Sequence, residues 1–251
     1  FGGHYYVDYQ DIFAREYAGF HKVFSTDGLG QITKTYFHQS EFAPDNPASS
    51  QLGEYDDHIS KKGKTYRQEI YDSQNRLFQS TITKWDKRAL PGENRWLVWP
   101  AESVNLTWDG DADHKDKAEI FVYDDFGNVL EQIKFGEVSA NSDTGSFSDL
   151  LADKRTAKLA YALNESANIV SLPNSQIIFD YQGIKIQEQR YYYDNQPLGQ
   201  TTKGSLTLKE QWLDTDDSFI QTNYQYNEYG LLTKQIDPLG NSTTFQYDSF
   251  N

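Results

Sequence analysis

The 251-residue sequence contains no cysteine. This excludes disulfide staples, thiolate metal sites and thiol nucleophiles, and it leaves the redox compartment open. Long apolar runs are missing as well. The uncharged hydrophobic stretches span only a few residues, mean hydropathy is −0.76, and a bilayer needs roughly 18 consecutive apolar residues. No transmembrane segment is expected. Basic blocks are absent: 23 Lys and Arg lie scattered against 37 Asp and Glu, for a formal net charge of −14. That balance repels phosphate backbones and argues against a nucleic-acid partner. No basic segment followed by an apolar one opens the chain at Phe1, so no signal peptide is expected, and the chain reads as a piece excised from something longer. Nucleophile elbows of GxSxG type, P-loops, GxGxxG fingerprints and HExxH pairs are not found.

Aromatic residues are abundant, at 15% with 18 Tyr and 15 Phe, although hydrophobic residues make up only 37%. Disordered chains are poor in aromatics, so this chain should fold. Tyr buries a large ring while its hydroxyl stays wet or hydrogen-bonded, which suits thin sheets with one solvated face. A layered β structure with a modest core is expected, as one large domain or two small ones.

Local patterns agree. Gln31–Phe37, Lys117–Tyr123 and Ser175–Tyr181 alternate polar with apolar or β-branched residues and read as strands. Between such runs lie short clusters, Asp27-Gly28, Asp125-Phe126-Gly127-Asn128, Tyr181-Gln182-Gly183 and Glu228-Tyr229-Gly230, where Gly or Asn can take positive φ, so hairpins are expected. Ser148–Ala162 has good helix formers behind a plausible Ser148 cap. It leaves a short helix open for its first half and a strand for its second, Thr156–Ala162. Glu41–Gly53, with Pro44 and Pro47, and Gly136–Gly145 read as loops.

An internal repeat is the most informative feature. Tyr71-Asp72 leads into Ser73–Leu77, Tyr123-Asp124 into Asp125-Phe126-Gly127-Asn128, Tyr193-Asp194 into Asn195–Gly199, and Tyr226-Asn227 into Glu228-Tyr229-Gly230. The last copy continues through Asp237-Pro238-Leu239-Gly240-Asn241 to Tyr247-Asp248. In this pattern Tyr ends a strand, Asp or Asn caps the turn through its side-chain oxygen, Gly supplies a left-handed residue, and an apolar residue re-enters the sheet.

Tyr226–Asp248 resembles the unit of the RHS/YD-repeat family. Arg15–Phe20, Thr35–Gln39, Lys62–Arg67 through Asp72, and Tyr161–Asn164 are similar to segments of the B-component branch of insecticidal toxin complexes and of bacterial polymorphic toxins. The resemblance implies an all-β chain of antiparallel strands and hairpins in a curved sheet, part of a hollow shell that encloses a toxic C-terminal polypeptide. Residues 1–90 would be the B-component-like region and 91–251 the YD-repeat region continuous with it. The implied partners are the remaining shell, the enclosed effector and other toxin-complex subunits, and the implied location is secreted or cell-surface on a bacterium. The pattern is degenerate in places: Asn75 replaces the turn Gly, Pro197 intrudes in the third copy, and spacing is irregular. The single Asp237-Pro238 lies inside an ordinary repeat, so the family's self-cleavage is not carried over.

Few residues suggest chemistry. Asp109, Asp111 and Asp113 have the spacing of the first EF-hand ligands, but His114 stands where Gly is required and Ile120 where a bidentate Glu is required. A solvated acidic turn is the better reading. His4, His21, His38, His58 and His114 show no paired spacing, so a zinc site would have to be assembled by the fold. No carboxylate pair stands out for glycoside hydrolysis. Trp85, Trp96, Trp99, Trp108 and Trp212 could stack on sugars, but packing on a sheet face is the simpler role. The sequons at Asn105, Asn164 and Asn241 would matter only in a glycosylating pathway. The expectation is a structural, non-enzymatic segment without cofactor. Its rival is a cell-surface adhesion or glycan-binding module.

Overall fold

A computed structural model describes residues 4–7, 15–39, 51–92, 95–108, 112–150 and 152–248, with the backbone alone described for 4–7, 15–18 and 51. The described residues form antiparallel strands joined by turns, with three single 3₁₀ turns and no α-helix. The all-β expectation holds. No helix among them is long and apolar enough to cross a membrane.

The chain divides into two compact units, residues 1–121 with 134–154, and residues 122–133 with 155–251. The first opens with β1 (His4–Val7) paired to β2 (Arg15–Gly19). Next come β3 (Lys22–Thr26), β4 (Ile32–Phe37), β5 (Thr65–Tyr71), β6 (Leu77–Ala89), β7 (Trp96–Thr107) and β8 (Lys115–Tyr123). Each of these pairs with the next in a meander, from β3 to β8. β9 (Val129–Ala140) follows, and its end carries the short β10 (Phe147–Asp149). Residues of β8 and β9 fall in both units.

Every second residue of a strand faces the same side, and in this unit that periodicity places Ile82, Val104, Leu106, Ala118 and Val138 in one buried cluster, flanked by Trp108, Phe135, Ala140 and Phe147. Burying such aliphatic side chains stabilises the fold by about 1.5–3 kcal/mol each. Two glycines close over this core. A Cβ on Gly53 would sit 2.5 Å from the Ile82 Cγ2, and one on Gly145 3.0 Å from it, with both glycines at positive φ. Only hydrogen fits there.

The second unit is a continuous meander of β11 (Arg155–Asn164), β12 (Ile169–Phe179), β13 (Lys185–Tyr193), β14 (Leu206–Leu213), β15 (Ser218–Tyr226), β16 (Leu232–Ile236) and β17 (Ser242–Thr244). Each strand pairs with its successor. Its buried hydrophobic side chains among the described residues are only Ala162 and Tyr193.

Two local expectations are corrected. No helix begins at Ser148, which lies in β10 opposite Ser139, and the segment from Arg155 is a strand throughout. The alternation of Thr156–Ala162 and pairing with β12 outweigh a helix propensity worth only tenths of a kcal/mol per residue. The loop read at Gly136–Gly145 starts five residues later than expected, because Gly136–Ala140 belongs to β9, where Val138 is a core residue. Of the loop read at Glu41–Gly53, residues 41–50 lie outside the described residues, and Gln51–Gly53 is a 3₁₀ turn.

Candidate functional site: repeat turns and a buried polar cluster

Among the described residues, six hairpins share one turn. At Asp237 the backbone N–H receives its bond partner four residues on, donating to the Asn241 carbonyl, and Gly240 N–H donates back to the Asp237 carbonyl. The Asp237 carboxylate accepts from the N–H of Leu239 at 2.9 Å and of Asn241 at 2.8 Å. This is a type I turn followed by a left-handed residue, a geometry suited to Pro238 in second place and Gly240 (φ 84°) in fourth. The same bonds recur at Asp72, Asp124 and Asn227. Gly127 and Gly230 hold the left-handed place in two of them, and Asn75 (φ 61°) holds it at Asp72, Asn being with Asp the non-glycine type that visits that region most readily.

The turns at Asp27 and Asp180, expected from the sequence as hairpins but not as copies of the repeat, have the same geometry. Their Asp follows Thr26 and Phe179 rather than Tyr. The usable signal was Asp-x-x-Gly, with Gly30 and Gly183 in the left-handed place. Backbone donors hold the Asp72 carboxyl below its usual range, led by Arg76 N–H, and the Asn241 side-chain amide does the same for Asp237.

The motif tyrosines close the sheet laterally. The hydroxyl of Tyr193 donates to the Pro173 carbonyl at 2.7 Å, that of Tyr226 to Leu206 at 2.9 Å, and that of Tyr247 to Leu232 at 2.8 Å. Register slips by one residue at Tyr71, Tyr193 and Tyr226. These bulges end pairing where the turn begins and increase local twist. Burial raises the Tyr123, Tyr193 and Tyr226 hydroxyls above their ordinary pKa.

The third copy departs from the pattern. Asp194 and Asn195 both take positive φ, and Asp194 N–H donates to the carbonyl of Ser205, eleven residues on, instead of closing a short turn through Gly199. Its carboxylate is a hub for the returning chain, accepting from the N–H groups of Thr202, Lys203, Gly204 and Ser205 and from the Thr201 hydroxyl. Burial alone would raise this carboxyl, but the donors of Lys203, Thr202, Gly204 and Ser205 outweigh it and hold the group far below the carboxylate range. Pro197 stands in the fourth place from Asp194, where its fixed negative φ is incompatible with the left-handed residue that the short turn needs. Asp248 is exposed, and the residues a turn there would need lie outside the described residues.

The second feature lies in the first unit. Arg67 Nε donates to Glu69 at 2.7 Å, and Tyr36 and Tyr71 donate to the other oxygen of Glu69 at 3.0 and 2.9 Å. Arg67 Nη1 reaches the Ser142 carbonyl at 2.9 Å. It thereby ties down the segment whose Gly145 covers Ile82. Burial and then Glu69 push the Tyr36 hydroxyl up to about 12. Burial would raise Glu69, but Arg67 and Tyr71 outweigh it and lower it.

Beside this network, His38 is fully buried, its Nδ1 3.1 Å from Asp57 Oδ1 and 3.5 Å from Glu54 Oε1. The three groups place one donor atom each within 4.8 Å of one another. Lys61 and Lys87 both go to the neighbouring Asp56. Of the acidic triplet, Asp109 and Asp111 lie outside the described residues and Asp113 is exposed. His58 bonds Ser60 and sits edge-on to Trp96, while His114 bonds Asp116 and lies against Trp108. Trp85 donates to the Thr65 carbonyl and Trp212 to Asp217. Glu69, Asp72, Glu188, Asp194 and Asp237 are each held below the usual carboxylate range by their donors.

Comparison with known proteins agrees with this geometry. The RHS Repeat family model matches residues 226–251. No curated protein matches the sequence. Among solved structures, that of TcdB2-TccC3-TEV is similar over 96% of this chain with a TM-score of 0.55 at 13% identity, and this chain spans 19% of that one. A porin-like protein from Bacteroides uniformis aligns over 85% of both chains at 11% identity, but its TM-score of 0.24 carries no argument about fold. Residues 226–251 thus match the RHS repeat, and the strands of the chain follow the fold of part of the TcdB2-TccC3-TEV structure.

Proposed function

We propose that this chain is a stretch of wall in an RHS-type shell that encloses a C-terminal effector polypeptide in a secreted or cell-surface bacterial toxin. The observation that carries the reading is the turn ladder. Six hairpins closed by the same carboxylate or amide geometry add strands without needing a thick core, as a wall with two accessible faces requires. The likeness to the TcdB2-TccC3-TEV structure supports the toxin context. Function here is sequestration: the wall excludes proteases and partners by volume, and no residue performs chemistry. Residues 1–90 are assigned to the B-component-like region and 91–251 to the repeat region.

The test is limited proteolysis of the full-length protein. Polypeptide following the repeats should resist protease while the protein is native, and become sensitive once turn variants such as Asp124→Ala with Asp237→Ala open the wall. Equal sensitivity before and after would overturn the proposal. Tight binding to an arrayed glycan, lost on substitution of exposed aromatics such as Tyr229, would favour the adhesion module instead.

A further inference from the structure

The first unit brings buried His38 together with the partly buried Glu54 and Asp57, a grouping that an inert wall does not require. We propose that His38, Glu54 and Asp57 form a binding site for a divalent transition-metal ion of the Zn2+ class.

Geometry is the first ground. A tetrahedral ion with bonds near 2.0–2.1 Å places its ligand atoms about 3.3 Å apart. The Nδ1 atom of His38 lies 3.1 Å from Asp57 Oδ1 and 3.5 Å from Glu54 Oε1, which brackets that spacing. The imidazole is also preorganised. His38 N–H donates to the Lys64 carbonyl and Gly63 N–H donates to the His38 carbonyl, both at 2.9 Å, and Tyr66 packs on the ring at 5.2 Å. A ligand fixed by its own backbone loses little freedom on binding metal.

Charge is the second ground. The side chains of His38, Glu54 and Asp57 are 0%, 15% and 8% exposed. The two carboxylates carry charge in a largely covered place, and a dication neutralises it. Nε2 of His38 is buried and makes no hydrogen bond.

Ligand chemistry selects the ion. One imidazole nitrogen with two carboxylate oxygens suits Zn2+ and its first-row neighbours, while Mg2+ and Ca2+ favour all-oxygen shells. Three protein donors leave a fourth place for water. The consequence is mechanical, because His38 directly follows β4 whereas Glu54 and Asp57 follow Gly53, the glycine against Ile82. Metal would fasten this covering segment to the end of β4.

The experiment titrates the chelator-stripped full-length protein with ZnCl2, with MgCl2 and CaCl2 as controls, by calorimetry and thermal unfolding. The expected result is one Zn2+ per chain, a rise in melting temperature of several degrees, and no response to Mg2+ or Ca2+. Glu54→Gln and Asp57→Asn should each weaken binding at least tenfold, and His38→Gln should abolish it. Co2+ added to the unmodified protein should give the intense visible bands of a low-coordinate site, which requires no variant to fold. Absence of stoichiometric binding, or binding that survives His38→Gln, would overturn the site. Neither result bears on the enclosure of an effector, which protease protection tests separately.

Discussion

Each unit carries an arginine and a glutamate two residues apart on one strand, and the pairs sit in different surroundings. In the first unit Arg67 and Glu69 are 4% and 7% exposed and bond at 2.7 Å. In the second, Glu188 is as well covered, but Arg190 is one-third exposed, bonding at 2.6 Å and lying over the Phe219 ring. The chemistry is shared, and only the cover differs. In the first unit, the turns around Gly53 and Gly145 fold back over one face of the sheet, and they turn a ladder into a core. The second unit has no comparable cluster among its described residues, and order there depends on turn carboxylates, tyrosine hydroxyl ties and half-buried cross-strand pairs.

The contrast can be broken most sharply at the arginines. Arg67→Ala leaves a buried, unpaired Glu69 and should cost about 3–5 kcal/mol, against about 1 kcal/mol or less for Arg190→Ala. Urea denaturation followed by residue-resolved hydrogen exchange would show whether the loss stays in the mutated unit, and equal costs would refute the claimed difference in cover. Next, Leu106→Ala should cost about 3 kcal/mol because the cavity lies in a closed core, and Leu208→Ala, half-buried on β14, about 1 kcal/mol. Asp194→Ala strands four backbone donors and should cost about 2 kcal/mol, roughly twice the loss for Asp124→Ala, where two backbone donors and the exchangeable Asn128 side-chain amide are affected. Exchange rates of the 202–205 amides would rise first. Tyr226→Phe removes one bond to the Leu206 carbonyl, about 1 kcal/mol or less.

The smallest effect is a pH dependence. Tyr36 is harder to ionise folded, at about 12, than unfolded, near 10. Its contribution is complete below pH 10 and is lost as pH rises from 10 towards 12. Alkaline titration of the Tyr36→Phe variant should therefore show a flatter decline in first-unit stability than the parent chain, and an unchanged slope would exclude Tyr36 as the cause.

Much of the fold was legible because the bonds that define it are local. An Asp four residues before its farthest N–H partner, with Gly or Asn in the left-handed place, is a sequence pattern, so the hairpins at Asp72, Asp124, Asn227 and Asp237 could be read directly. Asp27 and Asp180 were legible as turns but not as copies of the repeat, because Thr26 and Phe179 rather than Tyr end the strand there and no Asp-Pro-x-Gly-Asn run follows, as it does at Asp237. At Tyr193-Asp194 the motif was present and the turn was not, because the same carboxylate found donors at 202–205, beyond the reach of a five-residue window.

The sequence by itself determined an all-β chain of hairpins, since strand alternation and turn chemistry act over a few residues and need no long loop to close. Only the tertiary structure decided which hairpins acquired a core and which buried charges met. Arg67 and Ser142 are 75 residues apart, and His38 faces Asp57 across a span of 19. Such meetings depend on strand register and on where the covering turns return to the sheet, quantities that no short window of residues contains.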